Sequence, residues 1–190
     1  NEGVVSRGDE KEIRAQRAAA TPGLYVIDTT RIEYGYPASS QQTANALRKV
    51  SYPDSASTDG LFIVTDYYLG GKVRQMGKSL NPTPYVDFEG PCIQFFANGK
   101  KKSIINYDDG RQLGEATYYY PSSGIYAIKE YQEYGNVYLK KCVDSAGHII
   151  ADNGKGHWID YDPGMERITM QGDIDNGKPQ GKWNGRVNEI

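Results

Sequence analysis

The sequence predicts a mainly β protein, an extended antiparallel meander of stacked β-hairpin repeats behind a short helical or disordered N-terminal segment. Three observations predict it. Tyrosine occurs 16 times in 190 residues against 4 phenylalanines and 2 tryptophans, and tyrosine favours strands and carries a polar tip suited to a half-buried sheet face. Glycine and proline number 22 and 9, enough for many turns. The stretch Cys92–Leu139 also reads as one phrase said twice, an aromatic pair, a glycine turn, a strand ending in tyrosine and a second glycine.

Along the chain, residues 1–23 form a polar segment. Asp9 to Ala20 is compatible with a helix, but its apolar positions are too few to anchor one. Thr21-Pro22-Gly23 breaks the run. Residues 24–190 read as a single β-repeat domain. Within it "LYVIDTTRIEY" alternates with period two, as a strand does. "SSQQTANALRKV" has serine caps and good helix formers, which predict one or two helical turns near Ser40–Lys49.

Clear repeats start near Leu61. Aromatic pairs Tyr67-Tyr68, Phe95-Phe96 and Tyr119-Tyr120 each precede a glycine turn, at Gly71, Gly99 and Gly124, spaced 28 and 25 residues apart. Pro82 and Pro84 mark a loop insertion in the longer interval. Gly110 and Gly135, 25 residues apart, close the units. The phrase returns from Gly156 to Trp183, with a turn at Asp162–Gly164. Two strands of ~6–8 residues with a tight turn and a linking turn use about 24 residues, one hairpin per repeat. Asn98-Gly99 is the strongest hairpin signal, since both residues tolerate positive φ. One hairpin alone is marginal, and stacking supplies a continuous sheet and core.

These residues carry a resemblance. "FFANGKKKSIINYDDGRQLGEATYYYPSSGIYAIKEY" and "DNGKPQGKW" resemble the variant MORN repeats of bacterial YwqK-type proteins. "SYPDSASTDGLFIVTDYYLGGKVRQMGK" and "EGPCIQFFANGKKK" are similar to the repeat region that precedes TonB C-terminal domains in bacterial envelope proteins. The resemblance covers about residues 50–185. It implies an antiparallel sheet of hairpins and a periplasmic or cell-envelope location, and it brings no catalytic residues. Gly70-Gly71 stands where the family has Asn-Gly, and Ser123-Gly124-Ile125 lacks the usual lysine.

The formal net charge is −2 with both signs mixed, which gives no basic field for nucleic acid. Lys100-Lys101-Lys102 reads as a solvated strand end. No stretch approaches the ~18–20 apolar residues that span a bilayer. The opening Asn1-Glu2-Gly3 reads as the start of a mature or trimmed chain, and the cytoplasm is the alternative compartment.

The chemical motifs are weak. "GGKVRQMGKS" places Gly71 one position too early for a phosphate loop. His148 and His157 with Cys142 match no common zinc spacing. Asp108-Asp109-Gly110 lacks the alternating ligands of a calcium loop and reads as a linking turn. Asp160 and Asp162 lie near Trp158, but nothing in the sequence faces two carboxylates across a cleft as glycan cutting requires.

The expectation is therefore a non-enzymatic protein-interaction module without cofactor or metal. Its partner would be a protein, with a glycan as the other ligand class and an antitoxin-like intracellular binder as the other role. Tyr67, Tyr68, Phe95, Phe96, Tyr118, Tyr119, Tyr120, Trp158 and Trp183 are the candidate surface, with cross-strand packing as the competing role for each tyrosine. Cys92 and Cys142 stand 50 residues apart, two repeats, about four strand spacings or 19 Å. A disulfide needs Cα atoms within about 7 Å, so both are expected as free, buried thiols.

Overall fold

The computed structural model describes residues 22–28, 36–37 and 45–185. Among these there is no α-helix, and antiparallel strands account for the fold. The N-terminal helix-compatible run lies outside the described residues. The chain falls into two compact units, 1–89 and 90–190.

In the first unit the strands are β1 (Leu24–Asp28), β2 (Tyr36–Pro37), β3 (Ala46–Ser51), β4 (Phe62–Tyr68) and β5 (Val73–Ser79). Their order in the sheet is β2-β1-β3-β4-β5. Of the helix expected over Ser40–Lys49, residues 40–44 lie outside the described residues and the remainder is corrected, because Ala46–Ser51 is a strand. Its Ala46, Arg48 and Val50 point to the buried side while Leu47 and Lys49 are more exposed, so the apolar period is two. Both edges of β3 are paired, to β1 and to β4, and this tertiary pairing overrides helix propensity. Arg48 is wholly buried. Its Nε and Nη2 each donate to Asp66 at 2.7 Å, and Nη1 donates to the Pro84 carbonyl at 2.8 Å.

The second unit continues with β6 (Phe88–Phe95), whose first two residues precede the division between units. β7 (Lys101–Asp108), β8 (Arg111–Tyr119), β9 (Ile125–Tyr131), β10 (Val137–Val143), β11 (Ile149–Asp152), β12 (Lys155–Tyr161), β13 (Ile168–Asp175) and β14 (Lys178–Gly185) follow. Each pairs antiparallel with the next in chain order, an uninterrupted meander from β6 to β14.

One turn recurs along one rim of this meander. The N–H of Phe96 donates to the Lys100 carbonyl while that of Gly99 donates back to Phe96; Tyr120 and Ser123, then Asp144 and Gly147, repeat the pattern. The same turn joins β4 to β5 at Tyr68 and Gly71. The fourth residue is left-handed each time, with φ of +82° at Gly71, +87° at Gly99, +87° at Ser123 and +91° at Gly147. Two details of the sequence reading are corrected. In the third unit the left-handed residue is Ser123, not Gly124, so the interval is 24 residues rather than 25. Asn98 has no positive φ; only Gly99 of that pair does, and the Asn98 side chain instead accepts from the Lys100 N–H at 2.9 Å. The turn after Asp162 carries one more residue and puts Met165 in the left-handed position.

At the opposite rim, Asp109-Gly110, Asn153-Gly154 and Asn176-Gly177 all have both residues at positive φ, the two-residue hairpin turn that matches strand twist. Gly135 belongs instead to a longer turn from Gln132 to Asn136, so Gly110 and Gly135 are not equivalent closers.

After each long turn the register slips by one residue, leaving Lys102, Tyr126, Ile150 and Thr169 unpaired across the strand. Such bulges re-aim a side chain and add twist. Tyr126 is thereby turned into the core, where it is 5% exposed. That core is Tyr120, Tyr126, Ala127, Leu139, Cys142, Ala151, Trp158 and Ile174. The Tyr120, Tyr126 and Tyr161 rings meet pairwise with centroids 5.4–5.8 Å apart, the tilted and edge-on contacts that aromatic quadrupoles favour. Cys92 and Cys142 are buried thiols outside any disulfide, as the spacing argument expects.

Candidate functional site

The two faces of the second unit are chemically unlike. Side chains directly opposite in an antiparallel pair share a face, so the registers trace the face turned away from the core. Ile93 pairs with Ile104, Ile104 with Thr117, Thr117 with Ile128 and Ile128 with Lys141. A second row lies one step nearer the long-turn rim, with Phe95 opposite Lys101, Tyr119 opposite Ile125 and Val143 opposite Ile149. The first row is half-buried along five strands. In the second, Ile125 and Ile149 are 42% and 55% exposed.

Charge fringes this apolar band. Glu115 and Glu130 stand opposite each other, and the Lys140 ammonium bridges them at 2.7 and 3.6 Å. The Glu115 bond is the main reason the Lys140 pKa is raised. The two carboxylates are thus tied to a shared cation on an open surface. Lys101 and Lys141 contribute positive charge within the band.

The core face has its own polar centre. Asp160 Oδ1 accepts from Trp158 Nε1 at 3.1 Å, from the Tyr126 hydroxyl at 3.2 Å and from Lys129 Nζ at 3.3 Å. The Tyr126 hydroxyl also meets the Ile159 carbonyl. The Lys129 ammonium lies 5.5 Å from the ring centroids of both Tyr118 and Trp158. Tyr118 is itself held by a 2.6 Å hydroxyl–hydroxyl bond to Tyr131. Burial raises the Tyr126 and Tyr120 pKa values, and the Asp160 charge adds to the first. Burial likewise pushes the Cys142 thiol up to about 11, the opposite of an activated nucleophile.

The aromatic residues singled out in the sequence divide accordingly. Phe95 and Tyr119 lie on the outward band. Trp158 is wholly buried, and Phe96 and Tyr120 are 7% and 9% exposed, so these three do not form part of an exposed strip; each fills the core or closes a turn. Tyr118 packs against the core. Trp183 is half-buried against Gly172, its Nε1 donating to the Asp173 carbonyl at 2.9 Å. Tyr67 and Tyr68 are half-buried in the first unit. Sequence reasoning missed the isoleucines of the band, whose signal was their two-residue alternation with core positions such as Cys92, Ile105 and Ala127.

His157 meets Asp173 at 3.0 Å and His148 meets Asp144 at 3.1 Å. Among the described residues no three metal-ligating side chains converge. Asp144 instead accepts the N–H groups of Ala146 and His148, and Asp162 that of Glu166. These backbone bonds lower both carboxyl pKa values, the His148 and Glu166 N–H bonds being the largest causes.

Comparison with protein-family models, with curated proteins and with solved structures finds no match to this chain. No helix among the described residues is long and apolar enough to cross a membrane.

Proposed function

We propose that this chain is a non-enzymatic protein-interaction module of the bacterial cell envelope, and that it binds its partner through the outward face of β6–β11. The carrying observation is the in-register row Ile93–Ile104–Thr117–Ile128, continued by Tyr119–Ile125 and Val143–Ile149 and edged by Glu115, Glu130 and Lys140. An apolar centre with a charged rim is the anatomy of a protein-binding patch. The row runs across neighbouring strands rather than converging on one point, which suits a protein surface better than a small substrate. The envelope location rests on the resemblance of the repeats to those of bacterial envelope proteins.

The test is capture of partners from envelope and cytosolic fractions of the native host. It uses the wild-type chain, an Ile104→Glu/Ile128→Glu variant and a rim control, Lys155→Ser, each shown folded by its thermal transition. A partner from the envelope fraction held by wild type and control but lost by the face variant supports the reading. A partner held equally by all three chains, or one found only in the cytosol, overturns it.

A further inference from the structure

The surroundings of Lys129 are those of a bound ligand rather than of a solvated side chain. Its ammonium stands over two aromatic faces, Tyr118 and Trp158, each 5.5 Å from the ring centroid, and 3.3 Å from the Asp160 carboxylate. Two ring faces and one carboxylate around a cation make the arrangement by which proteins recognise alkylated ammonium groups. The walls are held independently of the lysine. Tyr118 is fixed by its hydroxyl bond to Tyr131. Trp158 is wholly buried and tied to Asp160 by its indole N–H, and Asp160 is held by Tyr126 as well.

The ring spacing admits a larger cation than the one present, whose nitrogen would stand farther from Asp160 than the 3.3 Å of the present contact. Both ring distances lie towards the outer end of the ~6 Å range over which a ring attracts a cation, which leaves room for methyl groups between nitrogen and rings. Lys129 comes from β9 on a flexible four-carbon stem, and its side chain is 21% exposed, so it reaches solvent without unfolding a strand.

We propose that Tyr118, Trp158 and Asp160 form a cage for a quaternary ammonium group of the choline type on a free small molecule, with Lys129 as a tethered competitor that withdraws when the ligand enters. The exchange replaces one cation by another, so Asp160 stays neutralised and the ring faces stay covered. The site lies on the core face, and this reading is independent of the outward band.

Calorimetric titration with choline, and separately with tetramethylammonium, tests it on the whole chain. The wild type is expected to bind both saturably, because neither wall contact needs a donor on the ligand. Lys129→Met, which keeps the stem and removes the competing charge, is expected to bind about tenfold more tightly. Tyr118→Leu and Asp160→Asn, each checked for a cooperative thermal transition, are expected to lose binding at least tenfold. No binding by folded Lys129→Met, or binding that Tyr118→Leu and Asp160→Asn leave unchanged, overturns the proposal.

Discussion

Replacing Asp66 by leucine tests the buried centre of the first unit. Arg48 and Asp66 are both 0% exposed, joined by two parallel 2.7 Å hydrogen bonds. The third guanidinium nitrogen is satisfied by the Pro84 carbonyl, and Gln75 Nε2 adds a 3.3 Å contact to Asp66 Oδ2. Leucine keeps the γ-branched shape and is the larger residue, so none of the effect comes from a cavity. What remains is the buried Arg48 guanidinium without the Asp66 carboxylate, which Arg74, 4.0 Å from the same oxygen, also loses, and breaking one partner of a buried pair costs about 3–5 kcal/mol. For a chain of this size that corresponds to a fall in Tm of roughly 6–20 °C. The assay is a thermal and urea melt followed by backbone circular dichroism, with hydrogen exchange at the Val50 and Val64 amides to localise the loss. Combining Asp66→Leu with Arg48→Met removes the stranded charge and is expected to recover most of the stability. A single-variant loss below about 1 kcal/mol, the range of an exposed ion pair, would refute the reasoning, as would a double variant no better than the single.

Three further outcomes follow from the turns and the core. Ser123→Gly is expected to raise stability by about 1 kcal/mol, since a side chain at φ +87° is strained where glycine is not, and Gly99→Val to lower it by roughly 1–3 kcal/mol; equal melting temperatures for all three chains would contradict the turn geometry. Cys92 and Cys142, at 1% and 0% exposure, should resist a thiol reagent at pH 8 in the folded protein and both react on denaturation; rapid labelling of either in the native state would contradict their burial. Asp144 and Asp162 have folded pKa values below the ordinary carboxylate value of about 3.9, so their contribution is present above that value and is lost as pH falls through the depressed ones. Replacing both by alanine should flatten the decline of Tm between pH 5 and 2, and an unchanged acid limb would count against the Asp-capped turns.

The architecture was legible because its signals are local. A left-handed residue needs glycine, or a polar substitute, so turn positions show in the sequence; the aromatic pairs and the recurrence of turn glycines 28 and 25 residues apart show the hairpin. The errors came where a tertiary contact outweighs the local signal. Ala46–Ser51 has the composition of a helix, yet β1 and β4 on either side make it a strand. Ser123 takes a conformation that glycine beside it could have taken, and no local rule chooses between them. The candidate surface was harder to read. Burial depends on which face of the sheet a residue occupies, and each bulge shifts that assignment by one. Tyr126 is drawn into the core by its bulge and Trp158 by the face it occupies, while the plain isoleucines at 93, 104, 125 and 128 are left to form the outward band. The Lys129 cage joins strands β8, β9 and β12, which no sequence period connects.

The most direct measurement of the central claim is site-specific photo-crosslinking in the native host. A photoreactive residue is placed in turn at Thr117 and Ile104 on the outward row, and at Arg111 and Lys155 on the short-turn rim. The account predicts a protein adduct from positions 117 and 104 and none from 111 or 155. Adducts from the rim positions alone, with none from the row, would contradict it.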